Sequence, residues 1–422
     1  MVEFNFSPGD YVRFRLADKE LDATVLESSE PGIVLVKLKS GYNIGLNKEN
    51  ILATRILQRF EAEKRDFVLE KRKGLPSIGL VMTGGTIASK LDPKTGGVKW
   101  LTDVNEFLTY YPELLETVNI KQIEVPFKLA SESMASENWI KIAESVKKLL
   151  DDPEIEGVIV THGTDTLHYT GAALSFFLKN LNKPVVLTYS QRSIDRASSD
   201  ANLNLRCAAR MAVSDVAEVM LVGHASENDD YCYALRGSKV RKLHSSRRDA
   251  FKPVNTEPIA KVWPDKVEFI SSYNKRDDKK KVELDIQYSD KVALVKFYPG
   301  QNPDILDFYA LRCKGIVIEG TGLGHLPVSE AGHNWLPTLK KHIKNGFVVC
   351  VAAQTIYGRV DPYVYSNGRE LLDAGVIFLE DMLAETAMVK LGFVLGHYGW
   401  KKDTAKKMLE NFAGELNPRL TE

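Results

Sequence analysis

The sequence predicts an α/β protein with two doubly wound parallel sheets, preceded by a small β-barrel. Three observations predict it. From Ser77 onward, short apolar runs alternate with amphipathic stretches of helical spacing. That alternation lapses between residues 258 and 290 and then resumes. The N-terminal stretch instead alternates residue by residue, apolar against polar, between closely spaced turn signals.

Composition sets the bounds. The chain has 422 residues, 44% hydrophobic and 27% charged, as expected for a globular protein of two or three domains. Lys plus Arg (56) balance Asp plus Glu (56), so the total charge does not mark a nucleic-acid binder. Cys207, Cys232, Cys313 and Cys350 lie far apart with no CxxC. A disulfide framework or a structural metal is not expected, and a reducing cytoplasm fits. No apolar run approaches the roughly 18 residues of a membrane span, so no membrane association is expected. The N-terminus MVEFNFSPGD lacks a basic-then-apolar signal pattern.

The elements follow in order. In residues 9–46, Val12, Phe14 and Leu16 alternate with Tyr11, Arg13 and Arg15, and Pro31-Gly32 and Ser40-Gly41 supply turns. Four or five strands follow, a β-barrel module over 1–58. The charged segment 59–76 reads as a linker, partly helical. SIGLVMTGG is a strand ending in glycine, DVNEFLTYYPELLETV a helix, and IKQIEVPFKLA a strand. SENWIKIAESVKKLLDD is an amphipathic helix with Ser136 as its N-cap. IEGVIVTHGTDT, PVVLTYS and VAEVMLVG are strands, separated by the helices LHYTGAALSFFLKN and SDANLNLRCAARMAVSD. These make a first α/β domain over 77–262. An interdomain linker is expected over 263–290, including the charge run NKRDDKKK, read as a solvated loop. VALVKFYPG, CKGIVIEGTG and GFVVCVAAQT then begin a second, smaller α/β domain over 291–422, ending in an amphipathic helix TAKKMLENFAGEL.

Ligands of open α/β sheets bind at the carboxyl ends of strands. Two strand ends carry unusual chemistry: TGGTIAS (Thr83–Ser89) and THGTDTLHYT (Thr161–Thr170). Glycine there admits close backbone approach, and threonine hydroxyls can attack a carbonyl or bind a carboxylate. Either motif alone reads as a turn and a helix cap; the pair is far more specific. Asp165 needs a cationic partner if buried. His162 and His168 come without a matching ligand set, so no metal is expected. Tyr169, Phe176 and Phe177 read as core. The basic stretch KVRKLHSSRR (Lys239–Arg248) reads first as a solvated loop and only secondarily as an RNA contact.

Together, TGGTIAS and THGTDT resemble the two signatures of the asparaginase/glutaminase family, threonine amidohydrolases of two-domain doubly wound α/β architecture. PVVLTYSQRSIDRASSDANLNL and SKVRKLHSSRRDAF extend the resemblance, which runs from about Ser77 to about Gly396. It implies an asparaginase-like fold and a catalytic set of Thr86 as nucleophile, with Thr164, Asp165 and Lys242 as its support. The order in which Thr86 and Thr164 act stays open. The resemblance also implies substrate binding by Ser131 and Asp165, with Glu132 standing in for a family aspartate replaced here by Ser133. Backbone N–H groups near Gly85 and Gly163 suit an oxyanion hole. There is no tyrosine between Ser89 and Trp100, where the family often carries one on a lid. His325 stands where related enzymes often have an asparagine that reaches a neighbouring subunit.

The N-terminal module, with RKLHSSRRDAF and QTIYGRVDPYVYSNGRELLDAG, resembles the GatD family of archaeal-type glutamyl-tRNA(Gln) amidotransferases. That resemblance implies release of ammonia from glutamine in a homodimer paired with a GatE-type partner. The partner would bind Glu-tRNA(Gln) and use ATP and Mg, leaving this chain without a cofactor. A free-standing cytoplasmic L-asparaginase is the competing reading, and a non-catalytic scaffold a third.

Overall fold

The computed structural model describes residues 4–28, 30–40, 42–60, 71–91, 98–100, 107–108, 110–194, 196, 198–277 and 279–419. They fall into two compact units. One comprises Met1–Glu70, Ala88–Pro112 and Arg192–Ser199; the other comprises Lys71–Ile87, Glu113–Gln191 and Asp200–Glu422.

In the first unit, β1 (Tyr11–Arg15), β2 (Glu20–Val25), β3 (Ile33–Leu38), β4 (Asn43–Asn47) and β5 (Ala53–Gln58) form an antiparallel sheet ordered β4-β3-β2-β1-β5. The single alternation does what it predicts. Val12 and Phe14 are fully buried in the module's own core with Val25, Val36 and Ile51. Arg13, on the opposite face, sits across the ladder from Asp22 and grips its carboxylate at 2.6 and 2.8 Å. Beyond β5, Arg59 and the Phe60 N–H both bind the Asp10 carboxylate at 2.9 Å. The rest of the expected linker, 61–70, lies outside the described residues. This unit also holds a short hairpin pairing Ser89–Leu91 with Val98–Trp100. Residues 92–97 of the segment without a lid tyrosine lie outside the described residues, as do 103–106 and 109 of the helix expected over 103–118. The described end of that helix is a 3-10 turn, Pro112–Glu116.

In the second unit, β6 (Ser77–Met82), β7 (Asn119–Glu124), β8 (Ile155–Thr161), β9 (Val185–Thr188) and β10 (Val219–His224) are parallel. Their spatial order is β7-β6-β8-β9-β10. The chain leaves β6 toward one side and later returns to the other, so the topological switch point lies between β6 and β8. Helices α1 (Ser136–Leu150), α2 (Leu167–Phe177) and α3 (Ala201–Ala212) connect the strands. Ser136 is the first residue of α1 and not its cap. Ala135 holds that place, and its own N–H is satisfied at 2.8 Å by the Asn138 side chain.

The first sheet is mixed rather than wholly parallel. Beyond β10 it continues antiparallel through β11 (Cys232–Arg236), while β12 (Val240–Lys242) and β13 (Phe251–Pro253) leave it as a separate hairpin. β14 (Ala260–Val262) and β15 (Val267–Phe269) complete the sheet. The expected linker over 263–290 is corrected accordingly: a tight turn, with Trp263 N–H donating to Lys266 O at 2.9 Å, folds its first residues back as an edge strand. Its later residues Glu283–Leu284 pair with Leu178–Lys179.

β16 (Val292–Lys296), β17 (Gly315–Gly320), β18 (Val348–Ala353) and β19 (Ile377–Phe378) form the second, wholly parallel sheet in that order. Its helices are α4 (Asp304–Arg312), α5 (Leu336–Lys344), α6 (Ser366–Asp373) and α7 (Ala384–Gly396). Helix α2 is apolar on nearly every side because it is sandwiched: Phe176 stacks on Phe393 of α7 at 5.9 Å while Leu174 and Phe177 belong to the first core.

The terminal helix expected over 404–416 is shorter, α8 (Thr404–Leu409). The chain then turns inward because Glu415 pairs with Lys390 of α7 at 2.6 Å, both side chains fully buried. Glu415 also takes the Phe412 and Ala413 N–H groups at 3.0 and 2.7 Å. Removing one partner strands a buried charge. Glu415→Ala should therefore cost about 3–5 kcal/mol of stability, read as a lowered urea midpoint; an unchanged midpoint would show that the pair is dispensable.

Candidate functional site

β6 and β8 end level with one another, Met82 beside Thr161. Thr83 then adds a further rung, its N–H and hydroxyl both donating to Thr161 O at 3.3 and 2.9 Å. Immediately beyond, the two motifs touch through their backbones. Gly84 and Gly85 hold φ of +112° and +83°. A Cβ on Gly85 would lie 2.5 Å from Gly163 N, and one on Gly84 would lie 2.6 Å from Leu129 O. This contact sets the 3-10 turn Thr86–Ala88 beside the loop carrying Thr164 and Asp165. Thr86 is half-buried.

Ser131 closes the crevice from the segment that follows β7. It is 2% exposed, and its Oγ accepts the Asp165 N–H at 3.1 Å while its carbonyl accepts the Thr166 hydroxyl at 2.7 Å. A Cβ on Gly163 would collide with that Oγ, at 2.8 Å. Glu132 lies on the same turn, Ser131–Ser133, but is exposed to solvent.

Lys242 arrives from the end of β12. Its Nζ donates to Thr164 Oγ1 and to Asp165 Oδ1, both at 2.8 Å. The structure thus joins Thr164, Asp165 and Lys242 directly. Ser131 joins them through the Asp165 backbone, and Thr86 lies alongside through the Gly85–Gly163 contact. Lys242 is the buried member of this pair: its side chain is 10% exposed, that of Asp165 61%. Asp165 is exposed, and Lys242 holds one of its oxygens, Oδ1. His325 lies apart, in a tight turn after β17 where it exchanges backbone hydrogen bonds with Thr321 and packs on Tyr365.

His162 was not legible as a site residue, yet it holds the second motif. It is fully buried, with Nδ1 2.7 Å from Gly163 O and Nε2 2.9 Å from Thr170 Oγ1. A carbonyl only accepts, so Nδ1 carries the proton and Nε2 accepts from Thr170. Burial pushes its pKa down to about 4, keeping it neutral. The basic stretch after Lys242 is largely neutralised. Arg247 pairs with Asp249 at 2.9 Å, Arg248 with Asp229 at 2.9 Å, and Lys252 with Asp249 at 2.6 Å.

The arrangement suits acyl transfer. It sets the Thr164 hydroxyl within hydrogen-bond reach of the Lys242 nitrogen, beside an exposed carboxylate and glycine N–H groups at strand ends. Its scaffold is pH-sensitive in a stated direction. Burial holds His162 at about 4 and His168 at about 3, against 6.5 for an ordinary histidine. Between pH 6.5 and about 4 the unfolded chain takes up protons that the fold refuses. Stability therefore falls as pH falls, by about 1.4 kcal/mol per pH unit for each histidine at full slope. His168→Phe should make that slope shallower by about one proton in urea unfolding; an unchanged slope would contradict the burial of His168.

Comparison with known proteins agrees with this geometry. Residues 77–275 match the N-terminal asparaginase family, 291–409 the glutaminase/asparaginase C-terminal domain, and 6–57 the GatD N-terminal domain. The GatD chain of the glutamyl-tRNA(Gln) amidotransferase of Thermococcus kodakarensis is 50% identical over 394 residues, 92% of this chain and 88% of that one. Its counterpart from Archaeoglobus fulgidus is 43% identical over 414 residues, 97% of this chain and 95% of that one. Among solved structures, the thermostable L-asparaginase from Thermococcus kodakarensis superposes with a TM-score of 0.73 at 31% identity, covering 81% of this chain and all of that one. L-asparaginase I from Vibrio cholerae gives 0.68 at 26% identity, covering 82% of this chain and all of that one. With the asparaginase fold in its two α/β domains and the GatD module before them, the chain belongs to the GatD family of glutamyl-tRNA(Gln) amidotransferase subunits.

Proposed function

We propose that this chain hydrolyses glutamine at the Thr86, Thr164, Asp165 and Lys242 cluster and supplies the ammonia to a GatE-type partner, which converts Glu-tRNA(Gln) to Gln-tRNA(Gln) with ATP and Mg. The observation that carries the chemistry is the Lys242 side-chain nitrogen, 2.8 Å from both Thr164 Oγ1 and Asp165 Oδ1. The match of residues 6–57 to the GatD N-terminal domain favours an amidotransferase subunit over a free-standing L-asparaginase. The working assembly is a homodimer in the cytoplasm, joined to two copies of the partner.

Thr86 Oγ1 attacks the side-chain amide carbon of glutamine. A threonine hydroxyl is a weak nucleophile, so the proton it loses passes through Thr164 to the Lys242 amine. The N–H groups at Gly85 and Gly163 receive the oxyanion. Lys242 returns the proton to the departing nitrogen, which leaves as ammonia, and water repeats the sequence on the glutamyl ester of Thr86. Ser131 and the open oxygen of Asp165 hold the substrate's α-carboxylate and α-ammonium groups.

Thr86→Ala should abolish glutamine-dependent amidation, while the complex still uses free ammonium. Near wild-type glutamate release by this variant would remove Thr86 as the nucleophile. Lys242→Met should lose glutaminase activity and stay folded. Lys242→Arg should not rescue it, because arginine does not give up its proton; an active arginine variant would reduce Lys242 to a fixed charge.

Free ammonia is protonated and lost in water, so hydrolysis serves synthesis only when an acceptor is ready. The missing tyrosine between Ser89 and Trp100 points to incomplete activation of the chain alone. Glutamate release should be weak alone and about a hundredfold faster with the partner and Glu-tRNA(Gln), a coupling of about 2.7 kcal/mol. Equal rates, with vigorous asparagine hydrolysis by the chain alone, would favour the L-asparaginase reading.

A further inference from the structure

The hairpin that carries Lys242 grows from the first α/β domain but is held by the second. Three residues before Lys242, the Lys239 side chain turns inward and meets Asp381, which follows β19, at 2.5 Å; both side chains are fully buried. Its Nζ also reaches the Asp381 carbonyl at 3.2 Å, and its own carbonyl accepts the Val254 N–H that closes the hairpin. The terminal tail completes the shell around Asp381. Asn417 N–H donates to Asp381 Oδ1 at 2.9 Å, and Asn417 Nδ2 to Oδ2 at 3.0 Å. The same Nδ2 reaches Asn255 O at 2.6 Å, and Asn255 Nδ2 returns to the Asp381 carbonyl at 3.1 Å.

The neighbours of Lys239 are tied the same way. Ser238 donates to Ala413 O at 2.8 Å and accepts from Thr386 at 3.0 Å, and Arg241 pairs with Glu385 at 2.8 Å. Lys242 instead reaches back to the first domain, to Thr164 and Asp165. A fully buried ion pair contributes little net stability, because desolvation offsets the attraction. What it does enforce is position: the strand that follows Lys239 cannot slide without stranding a charge.

We propose that Asp381 and Asn417 are positioning residues for Lys242, fixing through Lys239 the register of the hairpin that places the Lys242 amine on Thr164 and Asp165. This rests on the reading of Lys242 as the proton carrier in glutamine hydrolysis.

The test measures glutamate release from glutamine by the full chain with its partner and Glu-tRNA(Gln), with thermal unfolding in parallel. The double variant Lys239→Met, Asp381→Leu keeps an apolar, filled contact without directional bonds. It should stay folded, with kcat down at least tenfold and KM within twofold. Lys239→Gln with Asp381→Asn, which restores a neutral hydrogen bond, should recover kcat to within threefold of wild type. Asn417→Ala, at a half-buried position, should fold readily and show the same kcat-only loss, smaller in size. Wild-type kcat in both the Met/Leu and the Asn417→Ala variants would overturn the proposal. So would an equal loss in the Gln/Asn pair, since the bond would then not be what matters. Lys242→Met, run alongside, separates the two ideas: if it retains activity, the reading of Lys242 itself fails.

Discussion

The site depends on one contact that has no side chain in it. Gly85 and Gly163 meet backbone to backbone at the ends of adjacent parallel strands, where a single Cβ would come within 2.5 Å of a peptide nitrogen. Everything reactive is referenced to that approach. Thr86 is one residue beyond Gly85, and Thr164 one beyond Gly163. The strand order β7-β6-β8 makes the contact possible, because the chain departs from β6 to one side and returns on the other. His162 stiffens the second loop from beneath, and Ser131 from the side.

The two α/β domains divide the work unequally. The first supplies the hydroxyls and carboxylate of the cluster, and also the strand from which Lys242 extends. The second supplies none of these groups, yet it grips the residues around Lys242 through Asp381, Glu385 and Thr386. The tail adds Glu415 and Asn417 to the same region. Two fully buried lysines, Lys239 and Lys390, each held by a fully buried carboxylate, therefore stand close in sequence or space to the segment that matters most. Such pairs are a costly way to gain stability and an effective way to specify one arrangement.

Charge in this chain is mostly matched locally. Arg247 and Arg248, in the loop after Lys242, are paired with Asp249 and Asp229, so the most basic-looking stretch near the site is close to neutral where it folds. That is consistent with a formal net charge of zero. The N-terminal β-module keeps its own core of Val12, Phe14, Val25 and Val36, and its five strands form a sheet of their own.

The sequence by itself determined the α/β class, the β-module, and the two motifs that carry Thr86, Thr164 and Asp165, because each is a local pattern. Period-two alternation marked β1, apolar runs marked β6 and β8, and glycine beside threonine marked the strand ends. The resemblance added Lys242 and Ser131, which lie far from both motifs in sequence. Patterns of that kind carry no information about partners distant along the chain. Nothing around Asp381 or Asn417 distinguishes them from surface residues until folding buries them against Lys239 and Asn255. Residues 267–269 read as linker because a three-residue edge strand has too little apolar periodicity to announce itself, and its place comes from pairing with Ala260–Val262. The sequence left open whether Asp165 is buried; only the fold decided that Lys242 would be the desolvated partner and Asp165 the one facing water. Local chemistry chooses the groups, and long-range packing decides which of them are dry, paired and held still.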